Sequence, residues 1–338
     1  MKQYTILGIE TSCDEVGAAI YTTKHGLRSN KLYSQTEEHK HFGGVIPEIA
    51  SRLHIQKING IVQSALDAAS MTLDDVDVIA VTSKPGLPGS LLIGTCFAKA
   101  IAGSLNKKII AIDHLEGHAF SACIENTVPF PFLCITASGG HSSIYDIQDF
   151  GVWKTLGTTM DDAAGEAFDK IAKLLQLGYP GGPIIEQYAR TVNFQDFFHY
   201  PRNKNHDLMF SFSGLKTAVL YDLVKRGAYN LEEKKLINHD VTLKQHVASS
   251  FLVCVGDIFT QKVTRALEEQ PYKALAFVGG VACNKYLQQR LQQVAEKWNI
   301  PFYVPSAQFC TDNAAMIAFV GHYKAQQGHF NNLDFDVL

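Results

Sequence analysis

Apolar runs separated by short polar turns follow one another along the chain, and one arrangement occurs twice. Residues 5–21 form an apolar run, a polar turn and a second apolar run, and residues 132–145 repeat this order. Such pairs of runs are typical of β-hairpins. The two turns are rich in Ser, Thr and Gly, which suit either a phosphate-binding loop or a plain hairpin turn. The repetition predicts two duplicated lobes.

Other apolar runs lead directly into helical patterns. Residues 76–82 precede a helical pattern at 90–102, and residues 274–278 precede Gly279-Gly280 and an amphipathic pattern at 285–297. Strands that alternate with helices predict an α/β fold. Paired glycines before a helix allow a nucleotide to approach the backbone closely. Neither turn is a strict Gly-x-Gly-x-x-Gly, and no Walker loop occurs, so a standard dinucleotide or P-loop fold is disfavoured.

Three further segments carry weaker signals. Residues 160–170 predict a helix on which Asp162, Glu166 and Asp169 share a face, directed to ribose hydroxyls or simply to water. Residues 178–183, rich in Gly and Pro, predict a loop that could clamp a flat ligand. Pro47 starts a long helical pattern through Leu66, which either packs on the core or also docks a partner helix.

A histidine pair follows a predicted buried strand. The run 108–112 leads into His114 and His118, and Asp113 with Glu116 forms a predicted capping box for a helix. On a helix this spacing places both imidazoles on one face, where they could share a metal ion. A His-Glu-x-x-His protease has its glutamate next to the first histidine, a position that Leu115 occupies here. Glu116 is therefore interpreted as a capping residue.

Composition limits the class of protein. The chain has 338 residues, 46% of them hydrophobic, which is enough for two domains or one large one. No run reaches the roughly 20 apolar residues of a membrane span. Seven cysteines without a Cys-x-x-Cys pair favour a reducing cytoplasm. Because the net charge is −3, nucleic-acid binding would need a local basic patch or a partner, and the candidates are residues 39–41, 106–108 and 202–204.

Eight ordered motifs resemble one family, the universal tRNA N6-adenosine threonylcarbamoyltransferases in their bacterial form. They span about residues 5 to 320 and are Gly8 to Glu15, His114 to His118, Ser138 to His141, Asp161 to Lys170, Tyr179 to Pro183, Phe210 to Lys216, Gly279 to Val281 with Asn284, and Cys310 to Asn313. The resemblance implies an α/β fold of the actin/Hsp70/sugar-kinase type, with two duplicated RNase H-like lobes and a nucleotide cleft between them. The expected lobes are residues 1–112 with about 313–330, and residues 113–312.

The resemblance also implies the site residues. The metal ligands would be His114, His118 and Asp312, a set that suits one Fe(II) or Zn(II) per subunit. The residues lining threonylcarbamoyl-AMP would be Thr136, Ala137, Ser138, Gly139 and Gly140, with Asp169, Gly182 and Asn284 on its nucleoside side; ATP or AMP could occupy the same site.

The implied reaction transfers threonylcarbamoyl from threonylcarbamoyl-AMP to N6 of adenosine 37 in tRNAs that read codons beginning with A. Asp14 is the candidate residue for accepting the proton that the attacking amine loses. His141 is the candidate for positioning the adenylate. The implied partners are tRNA, a pseudo-paralogue that dimerises on the N-terminal lobe near residues 47–66, and a small ATPase, with a homodimer when the chain is alone. A small-molecule kinase or a chaperone-like ATPase of the same fold is the alternative.

Overall fold

The computed structural model describes residues 2–42, 44–202 and 207–337. By its internal contacts the chain separates into two compact units, Met1–Asn126 with Pro305–Leu338 as the first and Thr127–Val304 as the second. Both unit boundaries differ from the lobe boundaries expected after residues 112 and 312. The assignment of functional lobes stays a prediction, and the contacts place residues 113–126 and 305–312 in the first unit.

The strands are short and mostly buried. They are β1 (Thr5–Glu10), β2 (Glu15–Thr22), β3 (Gly26–Ser34), β4 (Val78–Lys84), β5 (Lys108–Asp113), β6 (Phe132–Ala137), β7 (Ser142–Asp149), β8 (Val152–Thr158), β9 (Tyr229–Asn230), β10 (Lys235–Leu236), β11 (Ala274–Val278) and β12 (Phe302–Tyr303).

The helices connect and cover these strands. They are α1 (Thr36–Lys40), α2 (Pro47–Ala69), α3 (Pro88–Ser104), α4 (His114–Phe120), α5 (Ala164–Leu174), α6 (Gly181–Arg190), α7 (Ser213–Lys225), α8 (Val241–Glu269), α9 (Lys285–Lys297), α10 (Ala307–Cys310) and α11 (Ala314–Gln326), with 3₁₀ turns at Leu73–Asp75, Ser121–Cys123 and Gly280–Cys283.

Each unit contains a five-stranded sheet of the same topology. In the first unit the strand order is β3-β2-β1-β4-β5, and in the second it is β8-β7-β6-β11-β12, which is the same order read from the other edge. Three antiparallel strands are followed by two parallel ones in both sheets. The predicted hairpins at residues 5–21 and 132–145 are confirmed as β1–β2 and β6–β7, and the predicted duplication is confirmed with them.

Helices cover both faces of the first sheet. Helix α2 buries Ile58, Val62 and Leu66 against β2 and β3, and burial of each such side chain contributes roughly 1.5–3 kcal/mol. Helix α11 covers the opposite face so closely that a Cβ at Gly8 of β1 would lie 2.6 Å from the Ala314 carbonyl oxygen. This close packing fixes the start of α11, and with it residue 312, relative to the strand ends.

Two of the predictions for the second unit are wrong in their secondary structure. Helix α5 begins at Ala164, not at Met160, because the Asp161 carboxylate accepts hydrogen bonds from the backbone of Phe212 (2.8 Å) and Ser213 (3.2 Å) instead of starting a helix. Asp162 lies before α5 and pairs with Lys170, as Glu166 does. Of the three acids, Glu166 and Asp169 keep the predicted spacing on one helical face.

The glycine- and proline-rich segment is the second correction. Residues 181–190 form helix α6, although residues 178–183 predicted a loop. Pro183 is tolerated because the N–H groups of a first helical turn have no acceptor within the helix. The Gly181 N–H is bound by the Asp169 carboxylate at 2.6 Å, so this helix start is satisfied by a side chain from α5.

The remaining expectations concern cysteines, membrane spans and surface patches. All seven cysteines are free thiols. None of the helices in the described part of the chain has the length and apolarity that a membrane crossing requires. Residues 39–41 are not a basic patch, because His39 is fully buried. Asn203 and Lys204, of the candidate patch 202–204, lie outside the described residues.

Candidate functional site

The histidine pair lies on a short helix at the end of a strand. Strand β5 ends at Asp113, whose Oδ1 accepts hydrogen bonds from the N–H groups of Leu115 (2.8 Å) and Glu116 (3.4 Å). This confirms Asp113 as the N-cap of α4. The helix places His114 and His118 on one face with ring centroids 4.6 Å apart, and both imidazoles are buried.

Glu116 has a different role from the one predicted. Its carboxylate forms an ion pair with Lys324 of α11 at 2.7 Å instead of completing the capping box. The side chain of Glu116 is 5% exposed and that of Lys324 is 23% exposed. Glu116 therefore joins α4 to α11, and neither helix capping nor general-base chemistry is needed to explain it.

Asp312, which lies near the other end of the chain, is next to the two histidines in the structure. It follows α10 and precedes Asn313, which caps α11 by accepting a hydrogen bond from the Met316 N–H at 3.0 Å. Asp312 Oδ1 lies 2.9 Å from His118 Nε2 and 3.6 Å from His114 Nε2. The structure thus brings together the three residues that the resemblance implied, with their ligand atoms within 4.8 Å of one another.

Two polar residues that the sequence analysis did not select hold the His114 ring. His114 Nδ1 lies 3.1 Å from Glu10 Oε2 and 3.1 Å from Ser12 Oγ. Glu10 is fully buried at the end of β1, where it also accepts hydrogen bonds from the Ser12 N–H (2.5 Å) and the Thr82 hydroxyl (2.6 Å). In the sequence, Glu10 and Ser12 lie within the Gly8 to Glu15 motif, but neither was selected as a site residue.

This arrangement gives His114 an unusual charge environment. Burial lowers the pKa of His114, but the negative charges of Glu10 and Asp312 and the hydrogen bond to Glu10 outweigh burial and raise that pKa to about 9. Burial raises the pKa of Glu10, but the charge and hydrogen bond of His114 leave its pKa below the usual value. In the metal-free chain His114 and Glu10 therefore form a buried ion pair.

The three residues fit a metal ion by the chemistry of their donor set. Two imidazole nitrogens and one carboxylate oxygen form a donor set that would suit Fe(II) or Zn(II) and would leave coordination positions for other ligands. Glu10 and Ser12 bind the far nitrogen of His114, which is the arrangement that orients metal-ligating histidines in proteins. His118 Nδ1 is buried without a hydrogen-bond partner among the described residues.

Asp14 lies in the β1–β2 loop, close to this cluster in the first unit. Its side chain is buried, and the charge of Asp14 is one of the causes, after burial and the charge of Asp312, that raise the pKa of Glu15 well above its usual value. Burial also raises the pKa of the Cys13 thiol, with the charges of Asp14 and Asp312 as further causes. Cys13 therefore stays protonated and is no candidate nucleophile.

Two glycines let the β1–β2 loop lie against its neighbours. A Cβ at Gly94 of α3 would be 2.1 Å from Thr11 Oγ1, and a Cβ at Gly86 would be 2.5 Å from the Ser12 carbonyl oxygen. The loop therefore rests directly on backbone, and its position depends on the absence of side chains at these two places.

A buried polar chain supports the same loop from α2. His54 Nε2 is 3.0 Å from the Cys13 carbonyl oxygen, and His54 Nδ1 is 2.9 Å from Gln35 Nε2. Gln35 Oε1 is 3.2 Å from His39 Nε2, and the Ile46 N–H donates to His39 Nδ1 at 3.3 Å. All three side chains are fully buried. These contacts require neutral His54 with its proton on Nε2, since Nδ1 accepts from Gln35.

The residues expected to bind an adenylate lie in the second unit. Thr136 and Ala137 end β6, and the turn that follows is closed by the Ser138 N–H donating to the His141 carbonyl at 2.8 Å and the His141 N–H donating to Ser138 Oγ at 3.1 Å. A Cβ at Gly139 or Gly140 would meet no atom within 4 Å, so the turn is open on that side.

The glycine turn after β11 lies beside this hairpin. Gly279 has a φ of 91°, and a Cβ there would be 2.3 Å from the Ala137 carbonyl oxygen. Because β11 and β6 are parallel, with Val278 opposite Thr136, both turns lie at the carboxyl ends of neighbouring strands. That edge of an open α/β sheet is where such folds bind ligands.

Asp169 and Asn284 complete the set expected on the nucleoside side. Burial raises the pKa of Asp169, although its hydrogen bond from the Gly181 N–H acts in the opposite direction. Gly182 at the start of α6 has open space where a side chain would be. Asn284 caps α9 by accepting from the Leu287 N–H at 3.0 Å, and its buried Nδ2 has no partner among the described residues.

Solved structures share this fold at low sequence identity. HypF of T. kodakarensis is 13% identical with a TM-score of 0.64, covering 96% of this chain and 48% of that chain. Component A of (R)-2-hydroxyglutaryl-CoA dehydratase from Acidaminococcus fermentans is 14% identical with a TM-score of 0.54, covering 96% of this chain and 99% of that chain. The fold is that of the actin/Hsp70/sugar-kinase class, as the resemblance implied.

Sequence relatives narrow the class to a family. Residues 26–319 match the family model of TsaD, described as tRNA N6-adenosine threonylcarbamoyltransferase. Proteins of that name from Thermodesulfovibrio yellowstonii and Ralstonia pickettii are 44% and 43% identical, covering 97% and 95% of this chain and 96% and 91% of the relatives. The chain belongs to the tRNA N6-adenosine threonylcarbamoyltransferase family.

Proposed function

We propose that this protein transfers a threonylcarbamoyl group from threonylcarbamoyl-AMP to N6 of adenosine 37 in tRNAs that read codons beginning with A. Family membership over nearly the whole chain supports the tRNA-modifying transfer. The observation that carries the proposal is the convergence of His114, His118 and Asp312, because neither a sugar kinase nor a chaperone-like ATPase needs such a set.

The His-His-Asp cluster would hold one Fe(II) or Zn(II) ion. A bound metal ion supplies Lewis-acid polarisation of a carbonyl or phosphoryl oxygen of the acyl donor. Glu10 and Ser12 bind His114 Nδ1, so Nε2 would be the nitrogen of His114 that meets the metal ion. Asp312 supplies the negative charge that two neutral histidines lack.

Asp14 would accept the proton that the adenosine amine loses. In the reaction the N6–carbonyl bond forms, the bond between the carbonyl carbon and the phosphate oxygen breaks, AMP leaves, and one proton is released from nitrogen. Asp14 is buried in the β1–β2 loop of the unit that contains the cluster. Two supports hold this loop, the close contacts at Gly86 and Gly94 and the hydrogen bond from His54.

The loops of the second unit would bind the acyl-adenylate. The turn of residues 136–140 offers open glycines and backbone N–H groups for the phosphate. Asp169 and Gly182 would contact the nucleoside, and the unpartnered Nδ2 of Asn284 would donate a hydrogen bond on its adenine side. His141 would place the adenylate from the other end of the same turn, and ATP or AMP would occupy this site in the absence of the acyl donor.

Family membership supports tRNA as the substrate, and the protein partners are proposed from the resemblance. tRNA is the acceptor, and a pseudo-paralogue with a small ATPase would assist. Helix α2 would provide the dimer contact, where Ile55 is 65% exposed although the same helix packs its opposite face on the sheet.

The test is a reconstitution of the transfer. The purified chain would be incubated with threonylcarbamoyl-AMP and an unmodified tRNA, and the tRNA digested to nucleosides for mass spectrometry. We expect N6-threonylcarbamoyladenosine, and none on a matched tRNA that carries guanosine at position 37. ATP consumption with sugars and no acyl transfer would contradict the proposal and favour a kinase.

A further inference from the structure

Five lysines line one groove on the second unit, although they are spread over the sequence. They come from α5, from α7 and from the β9–β10 hairpin, and surround a space of about 370 Å³. The lysines are Lys170, Lys173, Lys216, Lys234 and Lys235. We call this feature the lysine groove.

The charge of the lysine groove is only partly neutralised. Lys170 pairs with Asp162 (2.6 Å) and Glu166 (2.8 Å), and Lys235 pairs with Glu233 (2.7 Å). The other three lysines form no ion pair with a described residue, and no acidic residue is among those that line the groove. Several ammonium groups around one space create a local positive potential, which attracts anions.

A second basic groove of the unit has no such excess of charge. It lies between α8 and α9, where Arg265 pairs with Glu269 at 3.2 Å and Arg290 pairs with Asp257 at 2.7 Å. Glu268 is also among its lining residues. Its arginines are already held by carboxylates, so the lysine groove is the stronger candidate for an anion.

The form of the lysine groove favours a nucleic-acid backbone over a small anion. Lys173 lies on α5, and the neighbouring Lys234 and Lys235 lie on the β9–β10 hairpin. All three are exposed, so they can contact successive phosphates along a chain. Tyr229 also lines the groove and offers an aromatic ring beside the positive charges, a combination typical of sites that follow single-stranded nucleic acid.

We propose that the lysine groove binds the phosphate backbone of the tRNA substrate, an inference that rests on the proposed function. The chain as a whole has a net charge of −3, so tRNA affinity must come from such a local cluster. Helix α5 connects the two sites, because Asp169, which holds Gly181, is followed directly by Lys170 of the groove. The groove would therefore position the tRNA beside the nucleotide-binding loops of the same unit.

Charge reversal tests the lysine groove. In the full-length chain, Lys173→Glu/Lys234→Glu should weaken binding of unmodified tRNA by about tenfold or more at ~0.15 M salt. The slope of log K against log salt should become shallower by roughly 0.7–0.9 for each phosphate that the variant no longer neutralises. The KM for tRNA should rise, while the KM for threonylcarbamoyl-AMP and kcat stay unchanged.

Matched variants control for charge and folding. Lys225→Glu/Lys273→Glu makes the same change of charge at two exposed lysines of this unit outside the groove, and should leave tRNA binding within about twofold of wild type. Lys173→Arg/Lys234→Arg should retain binding. In amine-labelling experiments on the wild-type chain, saturating tRNA should protect Lys173 and Lys234 and leave Lys273 reactive.

Two failures can be told apart. If the wild-type chain modifies tRNA but the Glu variants bind it as tightly as wild type, or Lys173 and Lys234 label equally with and without tRNA, the groove proposal is overturned and the proposed function stands. If the wild-type chain neither binds nor modifies tRNA even with the pseudo-paralogue and the small ATPase added, the proposed function fails, and the groove proposal fails with it.

Discussion

At the residue scale, some side chains of the candidate metal centre can be predicted from the sequence and others cannot. The spacing of His114 and His118 and the cap at Asp113 can be derived from local rules. Asp312 lies almost two hundred positions from the pair, so only the resemblance selected it. Glu10 and Ser12 were missed, because contacts between strand ends and a later helix exist only in the folded chain.

Glu10 gives the first prediction. Glu10→Gln keeps the shape of the side chain but removes the charge that faces His114 Nδ1, so metal affinity should fall by about 10–100-fold. Competition with a chromophoric zinc chelator measures this change. Glu116→Gln is the control, since Glu116 lies on the same helix as the histidines but pairs with Lys324. Equal zinc affinities for Glu10→Gln and wild type would show that Glu10 does not act on the site.

At the scale of elements, the local pattern of apolar and polar residues predicted secondary structure correctly where that structure depends on the segment itself. The two hairpins and helix α2 follow from their apolar periodicity, and the Gly279 turn from its position between a strand and a helix. The start of helix α6 was wrongly predicted as a loop, because the local sequence is rich in glycine and proline. The helix start is capped by Asp169, which belongs to another helix. Glycine and proline counts carry no information about such a distant cap.

Two mid-helix glycines give a prediction with a built-in control. Gly94→Ala would place a Cβ 2.1 Å from Thr11 Oγ1, and should destabilise the protein by about 1–3 kcal/mol through overpacking. Gly60→Ala in α2 meets no atom within 4 Å, and should stabilise the protein by about 0.5–1 kcal/mol. Urea unfolding measures both. A neutral or stabilising Gly94→Ala would contradict the close contact of α3 with the β1–β2 loop.

The buried hydrogen bonds of His54 predict that the stability of the protein depends on pH. Burial lowers the pKa of His54 from its ordinary value of 6.5, against the opposing hydrogen bond to Cys13 and the charges of Glu10 and Asp14. As the pH falls, His54 is therefore protonated in the unfolded chain at a higher pH than in the folded chain. The stability that His54 contributes is therefore present above pH 6.5, and is lost as the pH falls below this value towards the lowered pKa.

The measurement is a difference between two proteins at two pH values. The unfolding free energy of wild type minus that of His54→Gln should be positive at pH 7.5 and clearly smaller at pH 5.5. The same difference for His25→Gln, an exposed histidine, should stay near zero at both pH values. A His54 difference that is constant with pH, or larger in acid, would contradict a neutral His54 in the folded chain.

At the scale of the whole molecule, the duplicated sheets could be predicted from the sequence, but the distribution of surface charge could not. Two similar hairpin patterns were sufficient to predict two sheets, and both sheets have the same strand order. The lysine groove combines residues from 170 to 235 that no sequence window contains. The three basic patches chosen from adjacent residues include His39, which is buried, so nearness in sequence was a poor guide to surface charge.

The central claim is that His114, His118 and Asp312 hold the metal ion on which transfer to tRNA depends. The most direct test is to titrate metal-free protein with Zn(II) or Fe(II) while following N6-threonylcarbamoyladenosine on tRNA. Transfer should increase and saturate at about one ion per chain, and His118→Ala should neither retain the ion nor regain activity. Full activity without metal, or the same titration curve for His118→Ala, would contradict the claim.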